Sequence, residues 1–176
     1  MSDEAERNAE LLRSKDTSAT GTKKTFTGSC ACGKITYKAD LALPDEPFIT
    51  KCNCSLCQKR GWFTLKMDKA DFHLLTPCTS EQAWNSKHGE YFGIWAKDTS
   101  RDMKRCFCDV CGSSFAMQGF FEYEGREIHF FAIDPKSLDQ PQEGLEMSEF
   151  KVKYHNMLAD EMAPPRPDRP HPGGLI

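Results

Sequence analysis

Gly28-Ser29-Cys30-Ala31-Cys32-Gly33-Lys34-Ile35-Thr36-Tyr37 sets a C-x-C-G knuckle between two extended stretches. Residues two apart on a strand point to one side, so the sulfurs of Cys30 and Cys32 can grip a single ion. Phe26 precedes the knuckle, and Ile35, Tyr37 and Ala39 follow it at a two-residue period, which predicts strands on both sides. Phe63, Leu65 and Met67 repeat that alternation. Short β-branched and aromatic runs predict more strands at Phe48–Lys51, Phe72–Leu75, Gln82–Asn85, Tyr91–Ala96, Lys104–Phe107, Ser114–Phe121 and Ile128–Ile133. About ten short strands without a long amphipathic helix imply a mainly β fold, as a sandwich, a barrel or a folded-over sheet. Helix is marginal, with a weak stretch around Glu4–Leu12 in the arm and one turn at Ser55–Lys59, while Ser148–Leu158 fits either a late strand or a short helix. Glu122 to Glu127 reads as a hairpin turn centred on Glu124-Gly125.

Two further clusters carry the same kind of chemistry. Cys52-Asn53-Cys54-Ser55-Leu56-Cys57 and Cys106-Phe107-Cys108-Asp109-Val110-Cys111 both spell C-x-C-x-x-C, and only Cys78 stands alone. A C-x-x-C turn brings its sulfurs to within about 4 Å, as Zn–S bonds of about 2.3 Å require. Gly33 and Gly112 follow their cysteines and suit tight turns whose backbone N–H groups face sulfur. Thiolates with no histidine nearby select zinc or an iron–sulfur cluster over magnesium or calcium, and the spacings are those of zinc knuckles. Nine cysteines, an odd count, with no apolar leader at the N-terminus argue for metal binding over disulfides. Spacing alone permits two tripods, with Cys30 and Cys32 completing either. A four-plus-three division is preferred physically. Cys30, Cys32, Cys108 and Cys111 would enclose a structural zinc that ties early strands to late ones, and Cys52, Cys54 and Cys57 would leave a fourth position open, as catalytic zinc sites do.

The chain's 176 residues suit one domain with tails, with a mobile arm at 1–23, a zinc domain at 24–160 and a Pro-rich tail at 161–176. Net charge −3 and a pI near 6.0 provide no basic stripe for nucleic acid. No run approaches the roughly 18 apolar residues of a membrane span. The expected compartment is the cytoplasm, with the nucleus as the alternative.

Taken in order, the Gly28–Tyr37 motif, Cys52-Asn53-Cys54-Ser55-Leu56-Cys57-Gln58-Lys59 and Phe107-Cys108-Asp109-Val110-Cys111-Gly112-Ser113 resemble the glutathione-dependent formaldehyde-activating enzyme and centromere protein V family over about Lys24 to Asn156. The resemblance implies a β-tent of stacked antiparallel sheets and two zinc ions. The structural ion would sit on Cys30, Cys32, Cys108 and Cys111, the catalytic one on Cys52, Cys54 and Cys57. Asp71-Phe72-His73-Leu74-Leu75 is closer to the centromere-protein-V branch, and Cys106 is extra to the family pattern, a spare thiol. The implied activity is carbon–sulfur lysis of S-hydroxymethylglutathione, or its formation from glutathione and formaldehyde. Three thiolates around zinc leave about one net negative charge, which favours exchange of a thiol over Lewis-acid activation of the aldehyde.

For an anionic thiol such as glutathione, Lys51, Lys59 and Arg60 are the cations flanking the second knuckle, with a solvated surface role as the plainer reading of each. Trp62 and Phe63 are assigned to core packing before a pocket wall. His73, His88, His129, His155 and His171 show no ligand spacing among themselves. The competing function is a noncatalytic zinc module that binds a partner protein.

Overall fold

The structure is a computed structural model, which describes residues 21–79, 82, 93–96, 103–123, 125–159 and 167–174. Among the described residues, ten strands and a short α-helix follow in the order β1 (Lys24–Ser29), β2 (Thr36–Leu41), β3 (Phe48–Cys52), α1 (Ser55–Arg60), β4 (Phe63–Met67), β5 (Phe72–Thr76), β6 (Gly93–Ala96), β7 (Lys104–Phe107), β8 (Ser114–Tyr123), β9 (Arg126–Ile133) and β10 (Lys151–His155). The strand expected at Gln82–Asn85 lies outside the described residues apart from Gln82, as do residues 1–20 of the arm and 161–166 of the tail. Tyr123 pairs with Arg126 where β8 turns into β9, and Gly125 takes a φ of 72° there, as the expected hairpin requires.

The strands form two sheets, a small one in the order β1-β2-β5 and a large one in the order β10-β3-β4-β9-β8-β7-β6. The fold is therefore mainly β, with two packed sheets and little helix. Neighbours pair antiparallel except β10 and β3, which run parallel with Cys52 opposite His155. The parallel pair departs from the all-antiparallel expectation. A parallel neighbour needs a crossover of a dozen or so residues, and the chain between Ile133 and Lys151 supplies it with two 3-10 turns, Pro135–Ser137 and Met147–Glu149. The same segment resolves the two options at Ser148–Leu158 in favour of a strand.

The core lies where the sheets face each other. Phe72 of the small sheet packs between Tyr37 of its own sheet, at 4.9 Å between ring centroids, and Phe131 of the large sheet, at 5.1 Å. Alternation places Tyr37, Ala39 and Leu41 inward on β2, all buried. A large side chain such as Leu41 contributes about 1.5–3 kcal/mol on burial. Gly28 on β1 stands opposite Tyr37, and a Cβ there would lie 2.1 Å from the Tyr37 ring. A glycine is required so that the ring can cross the strand and present its hydroxyl to Ser137 Oγ, 2.7 Å away. None of the described helices is long and apolar enough to cross a membrane.

Candidate metal centres

The first centre is made by two knuckles of the same construction. After β1, the N–H of Cys30 bonds the carbonyl of Ile35 (3.0 Å) and Gly33 N–H bonds the carbonyl of Cys30 (2.9 Å). After β7, the N–H of Cys108 bonds the carbonyl of Ser113 (2.9 Å) and Gly112 N–H that of Cys108 (2.8 Å). Gly33 and Gly112 share a φ of 74°, a left-handed turn that folds each knuckle back on itself. The knuckles are joined by the Ala31 N–H, which donates to Ser113 Oγ at 3.2 Å. Cys30, Cys32, Cys108 and Cys111 then place their sulfurs within 4.8 Å of one another. The separations of 3.5 Å between Cys30 and Cys32 and 3.6 Å between Cys32 and Cys108 sit close to the edge of about 3.8 Å in a tetrahedron with 2.3 Å arms. The donor set and its spacing therefore fit zinc. Ile35 N–H faces Cys30 sulfur at 3.2 Å, and hydrogen bonding with Ser113, whose Oγ lies 3.2 Å from the sulfur, draws the exposed Cys111 thiol down to about 5.

The second centre is built at the junction of β3 and α1. Cys52 ends β3, Cys54 caps α1 by accepting the Cys57 N–H, and Cys57 lies one turn into the helix. Gly61 closes that helix in the left-handed conformation, and Gln58 Nε2 donates to the Cys52 carbonyl at 3.0 Å, fastening helix to strand. The three sulfurs lie within 4.8 Å of one another, and among the described residues no fourth His, Cys, Asp or Glu joins them. This donor set also fits zinc. Hydrogen bonds from Cys52 and then Cys57 pull the Cys54 thiol down, whereas the same contact with Cys54 pushes Cys52 up, so the three sulfurs titrate as one coupled group.

Residues between and beyond these cysteines complete the second centre. Asn53 is buried, donates to Asn156 Oδ1 at 2.7 Å and to the Pro172 carbonyl at 3.4 Å, and accepts from the Leu158 N–H at 3.0 Å. Prolines in the tail cannot donate but keep their carbonyls, and the Pro167 carbonyl likewise accepts from Tyr154 N–H at 3.0 Å. Residues 167–174 are thus laid against β10 and the Cys52–Cys54 turn. Behind the sulfurs, Cys57 packs with Trp62, Met117 and Ala132. Arg105 on β7 is 8% exposed and places Nη2 3.9 Å from Cys57 Sγ.

A cleft of about 500 Å³ separates the first knuckles from α1, lined among others by Cys30, Ser113, Arg60, Asp134 and Lys136. Its size suits a small polar ligand. Burial pushes the Asp134 carboxyl up to about 6 against the opposing pull of Lys136, whose ammonium lies 3.4 Å away.

Of the cations expected to serve an anionic ligand, only Arg60 lines this cleft. Lys59 is exposed, while Lys51 is buried with its ammonium 5.0 Å from the Phe63 ring centroid, and burial lowers its pKa. Trp62 is core at 2% exposure. Cys106 belongs to neither sulfur group; it is sealed in the main core, where burial raises its thiol to about 12. Cys78 is buried in the same core. His73 pairs with Asp40 and His129 with Glu127 on the surface, and His88 lies outside the described residues. Asn53, Arg105 and Lys136 are residues that sequence reasoning missed. Asn53 had a signal in its place between two cysteines; Arg105 and Lys136 had none, because only folding brings them to the sites.

The family model for glutathione-dependent formaldehyde-activating enzyme matches residues 25–150. The match ends before β10. A crystal structure of a Rhodobacter sphaeroides protein superposes with a TM-score of 0.46 at 19% identity, covering 70% of this chain and 93% of that one. No curated protein matches the chain.

Proposed function

Since the chain belongs to the glutathione-dependent formaldehyde-activating enzyme family, we propose that it is a zinc-dependent carbon–sulfur lyase acting on adducts of glutathione or a related small thiol with an aldehyde. The observation that carries this reading is the inequality of the two sulfur groups, one with four members and one with three. Cys30, Cys32, Cys108 and Cys111 would hold a structural zinc, and Cys52, Cys54 and Cys57 a second zinc with one tetrahedral position left for a ligand. An ion held there supplies positive charge that favours the thiolate form of an incoming thiol and polarises a carbonyl.

The rest falls to the chain itself. The turn's own backbone orients two of the three sulfurs, since the Cys54 N–H donates to Cys52 sulfur at 3.3 Å and the Cys57 N–H to Cys54 sulfur at 3.5 Å. Trp62 and Met117 exclude water from the rear of the centre. Arg60, at the end of the helix that carries Cys57, and Lys136 line the cleft between α1 and the first knuckles and would offer cations to the carboxylates of a peptide-like thiol. Residues 24–160 form the zinc domain in this reading, and the cytoplasm, where thiols stay reduced, is its working compartment.

Replacement of one cysteine in each group tests the division of labour. Cys54→Ser is expected to fold, to retain one zinc and to lose turnover of S-hydroxymethylglutathione or a related adduct. Cys108→Ser is expected to lose the fold, since a structural ion contributes folding free energy directly. A parent protein with two bound zinc ions but no turnover of any thiol–aldehyde adduct would transfer the assignment to the partner-binding module.

A further inference from the structure

Arg105 presents a problem of charge. It lies in the middle of β7, paired with Met117 on one side and Trp95 on the other, and is 8% exposed. A buried guanidinium carries five N–H donors and a permanent positive charge, and its desolvation is strongly unfavourable unless an anion faces it. Among the described residues no carboxylate forms an ion pair with it, and its Nε–H is buried with no acceptor. Among the described residues, the polar contact of its guanidinium is Nη2 to Cys57 Sγ at 3.9 Å.

The two sulfur groups differ in how they can dissipate charge. In the four-cysteine group Cys32 and Cys111 are exposed, so water screens the surplus. In the three-cysteine group Cys57 is buried and Cys52 and Cys54 are half-buried, so screening by water is restricted. Three thiolates around a dication leave one net negative charge, and a fourth anionic ligand would leave two. A fixed cation against Cys57 offsets one of them.

We propose that Arg105 is the counter-cation of the three-cysteine centre and favours an anionic ligand, a thiolate, over a neutral one at its open position. The inference rests on the assignment of that centre in the preceding subsection. It makes Arg105 a positioning residue that acts through Cys57 and the ion, with a measurable effect even without turnover.

The test uses the full chain carrying Arg105→Met, Arg105→Gln or Arg105→Lys. Zinc affinity is measured at both sites by chelator competition, and the cobalt-substituted protein is titrated with 2-mercaptoethanol, whose only charge arises at sulfur, and in parallel with imidazole. The neutral variants are expected to hold the second ion about 10- to 100-fold more weakly, as is usual when a group supporting a metal ligand is lost, with first-site affinity unchanged. Their cobalt spectra should respond to the thiol at least about 10-fold more weakly than the parent's, with the response to imidazole little altered, whereas Arg105→Lys should restore most of the thiol response. First-site occupancy reports folding in each variant, and the Gln variant stands in if the Met variant fails to fold. Neutral variants that keep parental second-site affinity and thiol preference would overturn the proposal, as would a lysine variant as weak as they are. A parent protein that binds one ion alone would refute the three-cysteine centre itself, and Arg105's role with it.

Discussion

Asn53→Ala removes the side chain that ties Asn156 and Leu158, just after β10, and more weakly Pro172, to the second knuckle. Two of its hydrogen bonds are short, to Asn156 at 2.7 Å and from Leu158 at 3.0 Å, and the third, to the Pro172 carbonyl at 3.4 Å, is weaker. At about 1 kcal/mol net for each good bond, the expected loss is about 2–3 kcal/mol, with the upper end reached if the abandoned partners stay dry. Part of this should appear as local opening, because among the described residues the stretch after β10 is also held by the Tyr154 N–H to Pro167 carbonyl bond and the Lys153–Asp168 ion pair, which Asn53 does not touch. About 2 kcal/mol corresponds to roughly 30-fold in local opening. Urea unfolding of the zinc-loaded protein measures the global part, and amide exchange at Tyr154 and Leu158 measures the local part. The variant should also release its second zinc faster than the first, since Asn53 separates two of the three sulfurs. Stability within about 0.5 kcal/mol of the parent, together with unchanged exchange at both amides, would show that the segment is not held through Asn53.

Gly28→Ala is expected to cost about 1–3 kcal/mol or more in chemical denaturation, because its Cβ would fall 2.1 Å from the buried Tyr37 ring; Tyr37→Leu in the same background should recover part of the loss. Asp134→Asn tests the buried carboxyl, whose pKa rises on folding from 3.8 to about 6. A raised acid favours folding while protonated and loses that contribution as pH climbs through 6, so the Asn variant should exceed the parent by up to about 3 kcal/mol at pH 8 and match it near pH 4. Unfolding curves collected across that range give the sign directly. Cys106→Ala should keep parental zinc content by elemental analysis and lose only about 1 kcal/mol through the small cavity left in the core.

Legibility along the chain followed the range of the interaction. Phe26, Ile35, Tyr37 and Ala39 announced β1, β2 and the face each buries, because a strand's period is a local property. The 3-10 turn before β10 and its parallel pairing to β3 were not legible, since parallel neighbours are chosen by the crossover's path and not by any nearby residue. Lys51 misled for a related reason. Beside a cysteine it reads as a surface cation, but β3 lies between β10 and β4, and the added neighbour helps cover it.

The sequence by itself determined that this is a mainly β protein with two sulfur centres, since knuckle spacing and strand alternation act over a few residues and survive any arrangement of the whole. Spacing left open which tripod Cys30 and Cys32 would complete. Tertiary structure decided that by bringing the end of β1 against the turn after β7, across which Ala31 reaches Ser113. It also set Arg105 against Cys57 and drew residues 167–174 back to Asn53. Those contacts join segments 48 and 119 residues apart, and their energies arise only once the sheets have excluded water from between them.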